Sequence, residues 1–557
     1  MNYPPIVVIG LDGGSWTALD PLLAAGLMPN LARLRAAGAW GELASTLPPF
    51  TAPAWSTFMT GLNPGRHGVL SFFQQDATSY RLTEGGPLAS TALLAAPAFW
   101  DRLAAAGRRT GIVNVPLTYP PRPVNGFLVS GLLTPVAADR FTYPPELAAE
   151  LGPDYVVEAD YLTGIMGSFD LTRLPARKRL LADQDRAETV RADACLRLLE
   201  RHRPDLFLVV FASPDRISHF FWEYLDHTAP AGQPLDPQTL ADVRCHFQRL
   251  DRWIGELTAA AGPDATVIVM SDHGFGPAAT RWAYVNTWLA GLGLLSLHRG
   301  QVLGWTNPAF WRARLADTPL RSWLISRLPV RLRRAVRGAE RPEDAVDWSA
   351  TAAYATVLYA NVAGVRVNLA GRQTAGIVPA GAEYEAVRDQ IIAAAAVWRD
   401  PDTGRPVVTR ADRREALYHG EHVADFPDVI LELAAEYAVV AGTSPRTVTP
   451  AKPTFRTGEH RPAGVFVAHG PAIQQGARPA VQMADLAPTL LHLAGLPIPA
   501  DLDGRVLTEA LDQTWLARHP VQMADDETTA SPASAADVYT PEEEAILTRH
   551  LAALGYL

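Results

Sequence analysis

The chain opens on an apolar run, Ile6-Val7-Val8-Ile9-Gly10-Leu11, that stops at Asp12. The same form recurs downstream. Leu206–Phe211 leads to Asp215, Thr266–Met270 ends at Ser271-Asp272-His273, and Arg109–Val115 and Phe127–Val129 are similar. Short runs of this kind, bounded by turn residues, predict strands buried on both faces of a parallel sheet. Between them lie stretches with helical spacing: Pro29–Ala37, Ala98–Ala106, Pro175–Arg203 and Val243–Ala260. Strand alternating with helix predicts an α/β fold with a doubly wound, mainly parallel sheet. In such a sheet, functional groups gather just past the carboxyl ends of the strands. Asp12, Asp215 and the pair Asp272-His273 all stand at such ends, which places them in one site on topology alone.

This core pattern fills residues 1–295 and then breaks. Residues 296–347 mix Trp305, Trp311 and Trp323 with Arg and Pro, and read as a helical insertion over the core, a candidate lid. Residues 348–435 carry short alternating segments such as Val362–Leu369 and read as a small α+β element, which with the helical insertion would form a cap. The core pattern returns over 436–515, with a strand at Gly464–His469 and a helix at Ala484–Ala494 capped by Asp485 or a neighbour. Residues 516–557 hold an acidic, Ser/Thr/Ala-rich linker at Ala524–Ala536, and then Thr540-Pro541-Glu542-Glu543 opens a last helix.

Composition narrows the function classes. Of 557 residues, 48% are hydrophobic and 19% charged, enough for a large core and too apolar for general disorder. The net charge is −9 and the arginines are scattered among acids, which argues against a nucleic-acid surface. The densest basic run, Arg321–Arg337, reads as a solvated helix face. The two cysteines, Cys195 and Cys245, lack ligand spacing; they exclude a disulfide scaffold and read as small core residues. The first residues lack the apolar segment of a secretion signal, and no window of about 20 apolar residues could span a bilayer. The expectation is a chain without a membrane segment, located in the cytoplasm.

The remaining chemistry lies in a ligand-like inventory. Asp12 follows a strand in Gly-Leu-Asp-Gly-Gly. Asp215 and His219 are four apart in Ser-Pro-Asp-Arg-Ile-Ser-His. Asp272 and His273 are adjacent, and His460 lies in Thr-Gly-Glu-His-Arg-Pro. Three carboxylates and three imidazoles suit Zn²⁺, or Mn²⁺, better than Ca²⁺ or Mg²⁺. Two such ions about 4 Å apart could clamp the attacking and leaving oxygens of an in-line displacement. Thr51, in Phe50-Thr51-Ala52-Pro53-Ala54-Trp55, stands where a Pro-rich turn enters a helix-like stretch. A hydroxyl at a helix N-terminus faces the positive end of the dipole, which favours an alkoxide and a phosphoryl group there. His67, in the turn Asn63-Pro64-Gly65-Arg66-His67-Gly68, reads as structural. Arg216 and Arg461 flank ligands and suit either substrate contact or salt bridges.

The ordered set Gly-Leu-Asp-Gly, Thr-x-Pro-(x)₆-Thr-Gly-x-x-Pro-x-x-His-Gly, Asp-x-x-x-His, Ser-Asp-His-Gly and a late Gly-x-His resembles the alkaline phosphatase superfamily. Its type I phosphodiesterase/nucleotide pyrophosphatase branch is the most similar. The likeness runs from Gly10 to about Leu507. It implies that Asp12, Thr51, Asp272 and His273 form one metal site and that Asp215, His219 and His460 form the other. It implies that Thr51 is the nucleophile, phosphorylated and then released by water. In one position the chain departs from that pattern. Phe72 stands where nucleotide pyrophosphatases carry an Asn that binds a phosphoryl oxygen, and a phenyl ring cannot donate that hydrogen bond. The resemblance implies a hydrolase of small phosphate esters; diesters are expected over monoesters because no arginine lies within two residues of Thr51 and no further cluster of acids could hold a third ion. A sulfatase would need Cys or Ser and an Arg where the chain reads Thr51-Ala52-Pro53-Ala54-Trp55, and a phosphoglycerate mutase would need a Ser nucleophile. The alternatives are a phosphomonoesterase or related hydrolase on the same fold, or a metal-binding member without catalysis.

Overall fold

The computed structural model describes residues 3–83, 85–158, 171, 173–226, 235–298, 342–452, 456–524, 538–554 and 556. Most of the expected helical insertion at 296–347, the run Arg321–Arg337 and most of the linker Ala524–Ala536 lie outside them.

A nine-stranded sheet organises the chain. Its order across the sheet is Val481–Gln482, Ala39–Ala44, Ala463–His469, Thr266–Met270, Ile6–Leu11, Leu206–Phe211, Thr110–Val115, Gly126–Ser130 and Thr142–Tyr143. The middle of the sheet, from Thr266–Met270 to Gly126–Ser130, is parallel throughout. Ala463–His469 runs antiparallel to both its neighbours, and Thr142–Tyr143 is antiparallel at the far edge. Every residue of Ile6–Leu11, Leu206–Phe211 and Thr266–Met270 is buried, as continuous apolar runs require when both faces of a sheet are covered. Alternation along the first strand divides the core. Ile6 and Val8 face a layer containing helices Thr51–Thr60, Phe99–Ala105, Leu486–Leu493 and Pro541–Leu554. Val7, Ile9 and Leu11 face the opposite layer, with helices Trp16–Ala24, Pro29–Ala37, Leu174–His202, Ser213–Leu225 and Pro237–Ala261. The sheet is thus mostly parallel and covered on both faces, as expected of an alkaline phosphatase-like fold.

Residues 353–433 form a second, four-stranded antiparallel sheet ordered Ala353–Tyr359, Val362–Val367, Val429–Leu433 and Val408–Arg413, with helix Ala382–Val397 against it. No helix among the described residues is long and apolar enough to cross a membrane. Asp485 makes no side-chain cap on Leu486–Leu493 itself, but it closes a capping box with Gln482 at the short turn Met483–Asp485 that runs into that helix. Its carboxylate accepts hydrogen bonds from the Gln482 and Arg505 amides, pinning the turn before the helix to a distant loop.

Candidate metal centre

Three neighbouring parallel strands build the floor of the site. Thr266–Met270, Ile6–Leu11 and Leu206–Phe211 lie side by side, so their carboxyl ends deliver Asp272, Asp12 and Asp215 to one place. Helix Ser213–Leu225 begins directly after its strand and carries Asp215 in the first turn and His219 one turn later. His460 comes from far along the chain but is brought in by backbone pairing. Its short strand Gly458–Arg461 runs antiparallel to Gly274–Pro277, placing His460 opposite Phe275, two residues past His273. Thr51 opens helix Thr51–Thr60 after the extended residue Phe50. The first amides of a helix have no intrahelical acceptor, so this end presents N–H groups and positive potential.

Two glycines make the approach possible. A side chain at Gly10 would collide with the Trp55 ring, whose Nε1 donates to Asp12 Oδ2 at 3.2 Å. Gly13 adopts a positive φ of 66°, and its amide donates to Asp272 Oδ1 at 3.0 Å. The Gly-Leu-Asp-Gly motif therefore positions two carboxylates, its own and that of Asp272.

All seven residues singled out from the sequence, Asp12, Thr51, Asp215, His219, Asp272, His273 and His460, come together and are buried. Asp12, Asp272 and His273 form one ligand-like group, and Asp215, His273 and His460 another, with donor atoms in each within 4.8 Å of one another. His219 groups with Glu459 and His460 in the same way. Thr51 Oγ1 lies 3.3 Å from His273 Nε2, at the junction of the groups. His460 Nε2 lies 3.0 Å from both Asp215 Oδ1 and His219 Nε2.

The donor set fits divalent cations. His273 Nδ1 faces the Gly274 carbonyl at 3.3 Å and His460 Nδ1 faces the Pro49 carbonyl at 3.1 Å. Protonation at Nδ1 satisfies these contacts and leaves each Nε2 lone pair directed into the site, the arrangement in which a ligating histidine is held by its second nitrogen. His219 Nδ1 faces the Gly458 carbonyl at 3.1 Å, but Arg456 Nη2 also lies 2.7 Å from that nitrogen. One protonation state cannot serve both contacts; Glu459, 2.9 Å from Arg456, gives the guanidinium another partner. Asp12 Oδ1 and Asp272 Oδ2 are buried without a hydrogen-bond partner, 3.8 and 3.2 Å from His273 Nε2. Orphaned carboxylate oxygens beside imidazole lone pairs are costly unless a cation shares them.

The electrostatics agree. Burial, then the charges of Asp272 and Asp215, raises the Asp12 carboxyl well above its usual range. Asp272 is pushed up to about 8, by burial first and then by Asp215, against the hydrogen bond from Gly13. Burial also pushes Asp215 up, but His219, the His460 hydrogen bond and Arg216 outweigh it and hold that carboxyl well below the usual range. His219 is lowered by burial and by Arg456, and His273 by burial and by His460. Neutral imidazoles beside two carboxyls that resist ionising are the state from which a metal displaces protons.

The two arginines flanking ligands diverge. Arg216 Nη1 donates to Asp215 Oδ2 at 2.5 Å, whereas Arg461 turns away to the carbonyls of His460 and Pro277 at 2.7 and 2.5 Å. His67 is buried; Nδ1 accepts from the Val69 amide at 3.2 Å and Nε2 lies 3.0 Å from Thr57 Oγ1, tying the turn to the helix that Thr51 opens. Phe72 packs against Phe50, with ring centroids 4.8 Å apart. Sequence reasoning missed Trp55, Tyr359, Arg456, Glu459 and Tyr556. Glu459 and Arg456 stand next to or four residues before His460, so proximity to a ligand was an available signal. Tyr359 donates to Glu459 at 2.5 Å and Tyr556 to Asp215 at 2.8 Å, and neither carries a local mark.

The fold, the gathered Asp/His groups and a family match together give a hydrolase. The chain belongs to the type I phosphodiesterase/nucleotide pyrophosphatase family, whose model matches residues 6–470. Among solved structures it is similar to the phosphonoacetate hydrolase of Sinorhizobium meliloti 1021, in complexes with phosphonoformate and with phosphonoacetate. Each has a TM-score of 0.51 at 18% identity and covers 87% of this chain and 94% of that one. Human ectonucleotide pyrophosphatase/phosphodiesterase 5 gives a TM-score of 0.49 at 14% identity, covering 91% of this chain and 100% of that one. The phosphonoacetate hydrolase likeness shows a shared fold. No protein of curated function matches the chain significantly.

Proposed function

We propose that the chain hydrolyses small phosphate esters, diesters in preference to monoesters, through a phosphothreonine at Thr51. The observation that supports this is the position of Thr51 Oγ1, at a helix N-terminus and 3.3 Å from Nε2 of His273, the residue that two of the Asp/His groups share. Asp12, Asp272 and His273 would hold one divalent ion beside Thr51, and Asp215, His219 and His460 the second; the mixed oxygen and nitrogen donors favour Zn²⁺, with Mn²⁺ next. Bound there, the ions supply Lewis-acid stabilisation of the attacking and leaving oxygens. Thr51 Oγ1 loses its proton and bonds to phosphorus while the bond to the leaving oxygen breaks, and that oxygen departs with the electron pair and takes up a proton. Water then attacks phosphorus, and the electron pair of the P–Oγ1 bond returns to Thr51, whose oxygen regains a proton as the water gives one up. The positive end of the helix favours the alkoxide in both halves.

A monoester dianion carries an extra charge that enzymes commonly meet with another cationic donor. Here Arg216 is committed to Asp215, Arg456 to Glu459, and Arg461 to backbone carbonyls. Phe50, Phe72, Tyr359 and Tyr556 instead pack around His460 and one another as buried aromatic rings and add no cationic donor. The test compares kcat/KM for bis(p-nitrophenyl) phosphate and p-nitrophenyl phosphate at one pH and metal concentration. The diester should win. A tenfold monoester preference, about 1.4 kcal/mol in transition-state binding, overturns the diester assignment and leaves the phosphohydrolase.

A further inference from the structure

We propose that Tyr556 is a positioning residue of the metal centre, holding Asp215 so that only Oδ1 is presented to a cation. The inference rests on the reading of Asp215, His219 and His460 as one ligand set.

Tyr556 lies 341 residues from Asp215 in sequence, yet its hydroxyl donates to Asp215 Oδ2 at 2.8 Å. The same hydroxyl accepts from Arg216 Nη1 at 2.6 Å, and that nitrogen also donates to Asp215 Oδ2. The three groups close a triangle. A phenol has one proton to give and lone pairs to accept with, and both capacities are used here. The carboxylate is thereby divided. Oδ2 takes the two donors, while Oδ1 faces His460 Nε2 at 3.0 Å and His219 Nε2 at 3.5 Å. A ligating carboxylate held by outer hydrogen bonds in this way keeps its orientation, and loss of such a partner commonly weakens metal binding by about 10–100-fold.

The chain holds Tyr556 in place by more than this contact. Helix Pro541–Leu554 begins with a reciprocal cap. The Thr540 amide donates to Glu543 at 2.8 Å, and the Glu543 amide donates to Thr540 Oγ1 at 3.3 Å. Leu547, Leu551 and Leu554 are buried in the main core. Before the helix, Tyr539 is buried and donates to the Leu133 carbonyl at 3.1 Å. After it, the chain folds back, the Tyr556 amide donating to the Leu551 carbonyl at 2.9 Å. The Tyr556 ring then packs edge-on to Phe72 and Phe50, at centroid distances of 5.3 and 5.6 Å, and to His219 at 5.8 Å. A segment anchored at both ends of its helix therefore delivers one hydroxyl to one ligand.

The test is Tyr556→Phe in the full chain, which keeps the ring and removes only the hydroxyl. Zn²⁺ is titrated against a competing chelator, with Asp215→Asn as a control. The expected result is about a 10–100-fold weaker affinity for one of two ions in Tyr556→Phe, the other unchanged, with kcat/KM depressed and restored by added Zn²⁺. Three outcomes overturn the inference: both affinities unchanged, both weakened equally, or kcat/KM raised. The last would make Tyr556 an obstacle to substrate. If Asp215→Asn also leaves both affinities unchanged, it is the ligand assignment that fails; if Asp215→Asn loses an ion and Tyr556→Phe does not, only the role of Tyr556 fails.

Discussion

Replacing Asp272 by Asn should stabilise the metal-free protein while destroying one metal site, and the gain should grow with pH. In the folded chain the Asp272 carboxyl is pushed up to about 8, against an ordinary value of 3.8. The causes are burial and then the charge of Asp215. At any pH between these values the folded state keeps a proton that the unfolded state has released. Stability from this group is therefore complete below about 3.8 and is lost as pH rises toward 8, at about 1.4 kcal/mol per pH unit. Between pH 5.5 and 7.5 the loss is about 3 kcal/mol. Asn titrates nowhere in this range. Its carbonyl can still accept from the Gly13 amide, 3.0 Å from Asp272 Oδ1. Its amide would replace Oδ2, which has no partner and lies 3.2 Å from His273 Nε2, an acceptor when Nδ1 is protonated. Asp12 would also be relieved of Asp272, after burial the largest cause of its own rise. The assay is denaturant unfolding of chelator-stripped wild type and Asp272→Asn at pH 5.5, 6.5 and 7.5, repeated with Zn²⁺. Without metal, the variant should gain about 3 kcal/mol on the wild type across the range and be the more stable at pH 7.5. With Zn²⁺ the order should reverse, because only the wild type gains binding energy at this site. A difference that does not change with pH, or a metal-free variant less stable than wild type at pH 7.5, would refute the reasoning.

Two further expectations concern single residues. Thr51→Ala should lower kcat by at least about 10³-fold with the unfolding midpoint little changed, and Thr51→Ser should recover part of the rate; a near wild-type rate in Thr51→Ala would assign the attack to water or another hydroxyl. His67, lowered to about 3 mainly by burial, is neutral in the fold and charges on unfolding below its ordinary value of 6.5, so its stability is present above 6.5 and is lost as pH falls toward 3. On lowering the pH from 7 to 5 the wild type should lose about 2 kcal/mol more than His67→Gln, read as the change in their difference in unfolding free energy.

The parts of the site written into local pattern were legible in the sequence. Asp12, Asp215 and Asp272-His273 each follow a short apolar run that reads as a buried strand, and in the folded sheet those three strands are neighbours, which brings their ends together. The strand Ala39–Ala44, with Trp, Gly and Glu inside it, carries no such mark, since it lies near one edge of the sheet, where only Ala39 and Leu43 are buried. Helix Trp16–Ala24 was hidden by Pro21 within it.

Arg216 and Arg461 show where the local reading stops. Each follows a ligand directly, and nothing in the sequence separates them. Along the strand Gly458–Arg461 successive side chains point to opposite faces, so a strand that buries His460 in the site must turn Arg461 out of it. Helix geometry imposes no such opposition. In the first turn of Ser213–Leu225, Arg216 is free to curl onto Asp215 Oδ2, where Tyr556 meets it. The places of Asp12, Asp215 and Asp272-His273 follow from strand ends, while the orientation of the Asp215 carboxylate depends on contacts closed only by folding. A variant that spares every motif residue can therefore still disable the site through Asp215 Oδ2.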